Sequence, residues 1–191
     1  MKATSNPEYM TFHREWLPLD KKDFRILAML ADRGKFHGTL SNLCDYFSLS
    51  RQTRNCNQLR DSIQRLQEQG LIDSQLNGRT YALRAIPKGK EIELPRRWAE
   101  PIIQHEYASE PVAWENVLKV FVWIHQNRVP LITNADIARE LNISTDTITN
   151  AKNVLEKDFR AITREIEKIT LADGSKRNIG QRLGAVAEWS E

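Results

Sequence analysis

The sequence predicts a mainly α fold in which two domains each consist of three helices closed by a small β-hairpin. Three observations predict it. Helical spacing of apolar residues runs through residues 21–69 in three segments. Residues 132–155, ITNADIARELNISTDTITNAKNVL, hold two further short helical patterns on either side of a tight turn. Each helical stretch is followed by two strand-like runs flanking turn residues, at 71–86 and at 166–183.

Residues 1–20 read as an N-terminal extension, polar with scattered aromatics at Tyr9, Phe12 and Trp16. Trp16 and Leu17 are expected to pack on the adjoining domain, with Asp20 or Asp23 starting a helix. In residues 21–33, Phe24, Leu27, Leu30 and Ala31 share a face, and Gly34 supplies the stop. Thr39 can cap a second helix, because Leu40, Leu43, Cys44 and Phe47 then come at i, i+3, i+4 and i+7. Beyond Ser48-Leu49-Ser50, the segment Arg51–Gln69 has Cys56, Leu59, Ile63 and Leu66 as its stripe, and Gly70 ends it.

The start of that segment allows two readings. As one continuous helix it sets Arg54, Asn57, Asp61 and Gln64 opposite the stripe, with Arg51 and Arg65 flanking. As an extended turn over residues 50–57 it leaves Arg51 and Arg54 at the helix entrance, within reach of phosphate. Asn77-Gly78 between Leu71–Leu76 and Arg79–Ile86 is a strong short-range hairpin signal and brings Arg79 to its tip. Residues 21–86 form the first predicted domain.

Residues 87–113 contain four prolines and no sustained helical period, so they read as a linker. Trp98, Ile102, Ile103 and Tyr107 are too apolar for a free tether, and part of the segment is expected to pack on a domain. The second predicted domain, residues 114–191, opens with a helix at Trp114–Gln126 that is apolar on more than one side and therefore central or buried in an interface.

In residues 132–155 each local feature has a physical reason. Thr133 or Asn134 can cap the first helix with a side-chain oxygen. Ala138 is small enough for a second helix to cross close by. Asn142 stands where a left-handed residue must turn the chain. Ser144 or Thr145 can cap the next helix, whose buried stripe is Ile148, Ala151 and Leu155. Asp146, Asn150, Asn153 and Lys157 fall on the opposite face. Ile166–Leu171 and Lys176–Leu183 then flank Ala172-Asp173-Gly174-Ser175, a second predicted hairpin.

Composition narrows the function. The 191 residues are 40% hydrophobic and 28% charged, an ordinary globular balance. The longest strongly apolar run, Val120–Ile124, is far too short to span a bilayer, and MKATSNPEYM has no apolar signal-peptide core, so no membrane partner is expected and the cytoplasm is the expected compartment. Net charge is +3 with a pI near 8.9. Residues 21–86 carry 11 Lys and Arg against 6 Asp and Glu, whereas residues 114–191 carry 11 of each. The first domain is the electrostatically committed one.

No catalytic constellation is present, and no enzyme is expected. His13, His37, His105 and His125 are dispersed without metal-motif spacing. Cys44 and Cys56 could be drawn with His37 as a zinc site, but both complete core stripes and read as reduced core residues. No GxxxxGK[ST] phosphate loop occurs. No metal and no cofactor are expected.

The repeated order of three helices and a hairpin, the pattern of residues 132–155 and the string LQEQGLI at 66–72 resemble the tandem winged-helix (winged helix-turn-helix) DNA-binding proteins of bacterial, plasmid or phage type. The chain departs from the commonest pattern, because Ser50 lies about five residues further from Gly70 than the short motif has it. The resemblance implies two winged helix-turn-helix domains in tandem that bind double-stranded DNA. It implies a sequence-specific transcriptional regulator, or a replication initiator of plasmid or phage type.

Asn and Gln can pair with base edges, while Lys and Arg meet phosphate. On that basis the expected DNA contacts are Arg51, Arg54, Asn57, Gln64 and Arg79 in the first domain. In the second they are Thr145, Thr149, Asn150, Asn153, Lys176 and Arg177. The rival expectation is a protein-interaction module, a chromosome-organisation or complex-assembly subunit. The neutral second domain, Asp146 and the apolar helix 114–126 favour that domain docking on a protein partner or on its own copy in a homodimer.

Overall fold

The structure, a computed structural model, describes residues 8–105, 107, 111–127, 131–171 and 174–186. The chain forms two compact units, Met1–Glu93 and Leu94–Glu191.

In the first unit, β1 (Tyr9–His13) leads through a short 3-10 turn into α1 (Lys21–Arg33). Asp20 caps α1 by accepting from the Lys22 amide at 2.8 Å, and Gly34 ends it at φ 72°. There follow β2 (Lys35–Gly38), α2 (Leu40–Tyr46), α3 (Thr53–Glu68), β3 (Ile72–Asn77), β4 (Thr80–Ala85) and β5 (Glu91–Pro95). Thr39 and Asn42 form a reciprocal capping box at the start of α2. The antiparallel sheet runs in the order β2-β4-β3, from Lys35↔Arg84 to Gly38↔Tyr81 on one side of β4 and from Ile72↔Ala85 to Asn77↔Thr80 on the other.

Residues 1–20 and 87–113, expected as an extension and a linker, supply β1 and β5, which pair as a sheet. Met10, Phe12, Trp16 and Leu17 are buried, and Phe12 stacks on Phe24 of α1 at a centroid distance of 6.1 Å. The core continues through Leu27, Leu30, Leu43, Leu59, Ile63, Leu66 and Leu83.

In the second unit, α4 (Arg96–Gln104) packs on α5 (Trp114–Gln126), with Trp98 edge-on to Phe121. Helix α5 buries Val117, Leu118 and every residue from Val120 to Ile124, so the remaining elements are arranged around it. Helices α6 (Asn134–Leu141) and α7 (Thr145–Lys157) come next, then a hairpin of β6 (Ile162–Thr170) and β7 (Lys176–Ala185). Thr133 caps α6 in a box with Asp136, Ser144 caps α7, and between them Asn142 is left-handed at φ 53°. Ile132 bridges to Gln181 with two backbone hydrogen bonds of 3.0 and 2.9 Å, docking the chain before α6 against β7.

The mainly α expectation is corrected. Among the described residues 48% are helical and 27% are in strands, in seven α-helices and three small sheets. Two tandem units of three helices and a hairpin also leave out β1, β2, β5 and α4. The three strands alternate too briefly for period-2 spacing to reveal them, and they form only by pairing with a distant partner. The second hairpin is also larger than a small wing. Arg160, at φ 51°, reverses the chain directly after α7, so β6 starts four residues earlier than its apolar run and carries an irregular register between Glu167 and Lys168. Ala172 and Asp173 of its expected turn lie outside the described residues.

Candidate nucleic-acid interface

Helix α3 is continuous from Thr53, which excludes an extended turn over residues 50–57. The turn lies earlier, at 47–52, where Ser48 takes a φ of 51°. Leu59, Ser62, Ile63 and Leu66 face inward and fix the rotation of the helix. Arg54, Asn57, Asp61 and Gln64 are consequently exposed, at spacings of three and four residues along one side. Arg60 donates to Asn57 Oδ1 at 3.1 Å, and Gln64 donates to Glu68 at 2.9 Å.

Arg51 sits in the turn, not in the helix. Its Nε and Nη2 donate to the two carboxylate oxygens of Asp45, each at 2.7 Å, and both side chains remain open to solvent. The hydrogen bond from Arg51 holds the Asp45 carboxyl below the usual carboxylate range. Arg65 is held structurally, donating from Nη2 to Asp23 at 2.6 Å and to Ser62 at 2.9 Å.

The first hairpin turns one residue later than its sequence suggests. Asn77 pairs with Thr80, and the two-residue loop is Gly78-Arg79 with Gly78 at φ 62°, the position that a glycine-first hairpin turn requires. Arg79 therefore stands on the loop itself and is exposed. An open cleft of about 480 Å³ lies between this hairpin and the helices, lined by Thr39, Ser41, Cys56, Arg60, Leu76, Arg79 and Tyr81 among others. Two guanidinium groups thus border one cavity beside the polar side of α3.

In the second unit Thr145 and Asp146 are exposed in the first turn of α7, while Asn150 and Asn153 are half-buried. Thr149 points toward α6. Its hydroxyl donates to the Thr145 carbonyl at 2.9 Å and accepts from Asn134 Nδ2 at 2.8 Å. Lys176 and Arg177 are exposed at the start of β7.

Comparison of the chain with protein-family models, curated proteins and solved structures finds no match. The chemistry rests on the residues themselves. Among the described residues no group of three His, Cys, Asp or Glu could hold a metal ion, and no helix is long and apolar enough to cross a membrane.

Two cations escaped the sequence reading. Arg60 comes three residues after Asn57, and that spacing could have joined it to the exposed side. Lys152 is buried, with Nζ donating to Asn134 Oδ1 at 2.6 Å and to Gln181 Oε1 at 2.5 Å. Its position four residues after Ile148, on the buried stripe, was the available signal.

Proposed function

We propose that this chain is a sequence-specific double-stranded DNA-binding protein, acting in transcription control or in replication initiation of plasmid or phage type. The observation that carries the reading is the exposed side of α3, where Arg54, Asn57 and Gln64 run beside a cleft bordered by Arg60 and by Arg79 on the hairpin loop. From Arg54 to Gln64 that side extends about 15 Å at 1.5 Å per residue, a length suited to a major groove. Asn57 and Gln64 read base edges, Arg54 reads guanine or meets phosphate, and Arg79 holds the backbone next to the groove. The same arrangement supports the resemblance to winged-helix DNA-binding proteins.

The second unit adds a weaker reader. Thr145, Asn150 and Asn153 supply polar groups from α7, and Lys176 and Arg177 supply phosphate contacts from β7. Linking a second reader to the first raises its effective concentration at the site.

A second reading belongs to that unit alone. Ile166 and Ile179, 50% and 40% exposed, border one open cleft on its hairpin, an apolar surface that favours docking on protein or on a second copy of the chain.

Selection of bound sequences from random duplex DNA, and then titration at several salt concentrations, tests the proposal. An enriched motif with steep salt dependence is expected. Binding without an enriched motif would remove sequence reading, and no binding at low salt would leave the protein-docking reading in its place.

A further inference from the structure

Cys44 of α2 and Cys56 of α3 are both free, and their Sγ atoms stand 3.8 Å apart. They join the two helices at the base of the proposed reader, twelve residues apart in sequence. Their surroundings differ. Cys44 is fully buried, whereas Cys56 is half-buried and lines the open cleft that Arg60 and Arg79 border.

We propose that Cys44 and Cys56 form an oxidisable dithiol site, entered at Cys56 by a small anionic disulfide and closed by Cys44 into an intramolecular disulfide. The asymmetry orders the steps. Burial, reinforced by the hydrogen-bonded Cys56 sulfur, pushes the Cys44 thiol up to about 11, so Cys44 stays protonated at neutral pH and does not attack first. Cys56 can be reached through the cleft, where two guanidinium groups draw in an anionic oxidant.

The Cys56 thiolate attacks one sulfur of the oxidant RSSR, forming a Cys56–SR mixed disulfide and releasing RS⁻, which takes up the proton that Cys56 lost. Cys44 sulfur then attacks Cys56 Sγ and expels the second RS⁻, which takes up the Cys44 proton. Two protein thiols are oxidised to one disulfide, and RSSR is reduced to two RSH.

Closure requires the sulfurs to approach from 3.8 Å to about 2.05 Å. The bond would tie α2 to the first turns of α3, and Arg54 and Asn57 lie on those turns. Oxidation therefore alters the presentation of the residues assigned to DNA. This last consequence rests on the DNA-binding reading; the thiol chemistry does not.

The test uses the full chain, reduced and then exposed to excess oxidised glutathione, quenched in acid and read by mass after alkylation in denaturant. The wild type should pass through a single glutathione adduct mapped to Cys56 and end as an internal disulfide that dithiothreitol reverses. Cys44→Ser should stop at the adduct, and Cys56→Ser should remain reduced. Two persistent thiols, a stable adduct in the wild type, or first modification at Cys44 would each overturn the site. The wild-type time course decides the matter even if a variant fails to fold.

DNA affinity of the oxidised and reduced wild type, on a sequence selected with reduced protein, should differ at least tenfold and recover on reduction. A disulfide that forms without changing affinity would overturn the coupling to DNA. Reduced protein that binds no DNA would overturn the proposed function and, with it, that coupling; the mass result would still decide the thiol site.

Discussion

Lys152 of α7 donates to Gln181 of β7 through an Nζ···Oε1 hydrogen bond of 2.5 Å, with both side chains buried. Asn134 Oδ1 accepts from Lys152 at 2.6 Å and from Gln181 Nε2 at 2.7 Å, closing a triangle among α6, α7 and β7. Burial, then the nearby Arg164 guanidinium, brings the lysine down to about 8 from its ordinary 10.5, with Glu156 acting in the opposite direction. Arg164 itself pairs with Glu156 at 2.6 Å.

The pH dependence has a definite sign. Between about pH 8 and pH 10.5 the unfolded chain keeps the Lys152 proton while the folded unit has lost it, so stability rises with pH across that window. The gain should reach about 3 kcal/mol at most. Denaturant melts of wild type and Lys152→Met across the window isolate it, since only the wild type should steepen. Parallel curves would show that the amine titrates as it does in water.

Asp23 is buried and receives two hydrogen bonds from Arg65, at 2.6 and 3.1 Å, while the guanidinium remains partly exposed. Arg65→Met strands the carboxylate and should destabilise the first unit by about 2 kcal/mol. Thermal melts read the loss. A change below about 0.5 kcal/mol, the range of neutral surface substitutions, would mean that water replaces the arginine.

Asn142 makes the turn between α6 and α7 at φ 53°. Asn142→Gly should be neutral or slightly stabilising, and Asn142→Val should cost more than about 1 kcal/mol because its branched Cβ crowds the left-handed backbone. Equal melting temperatures for the two variants would contradict a left-handed residue there.

Arg54→Ala and Arg79→Ala should separate reading from positioning. Arg54→Ala should lower affinity for the selected sequence about tenfold or more, whereas Arg79→Ala should weaken all sequences alike and reduce the salt slope by about one. Both residues are exposed, so melting should hardly change. Unaltered binding in both variants would remove α3 and its hairpin from the DNA.

What sequence reveals here depends on the range of the interaction. The caps at Thr39, Thr133 and Ser144, the left-handed Asn142 and the stripe of α3 depend on neighbours within a few residues, and spacing exposes them. Arg54, Asn57 and Gln64 are exposed because that stripe is buried. What Thr149 and Lys152 bind is hidden for the opposite reason. Their partners, Asn134 and Gln181, lie 15 to 29 residues away, and no local pattern announces a polar network inside a core. The sheet of β1 and β5 was missed likewise, its strands being joined only by tertiary pairing.

The bridge between Ile132 and Gln181 makes the second hairpin three strands wide at its middle, where Gln181 also faces Ile166 and where a Cβ on residue 180 would meet the Leu131 side chain at 2.8 Å. Beyond that clasp only β6 and β7 face each other. Fast backbone motion in this unit should therefore grade along the hairpin, with order parameters near the rigid limit of about 0.85 at Gln181 and lower values toward Lys176. A ligand held at the clasp would meet a surface already ordered, and one held near Lys176 would have to order the chain as it binds.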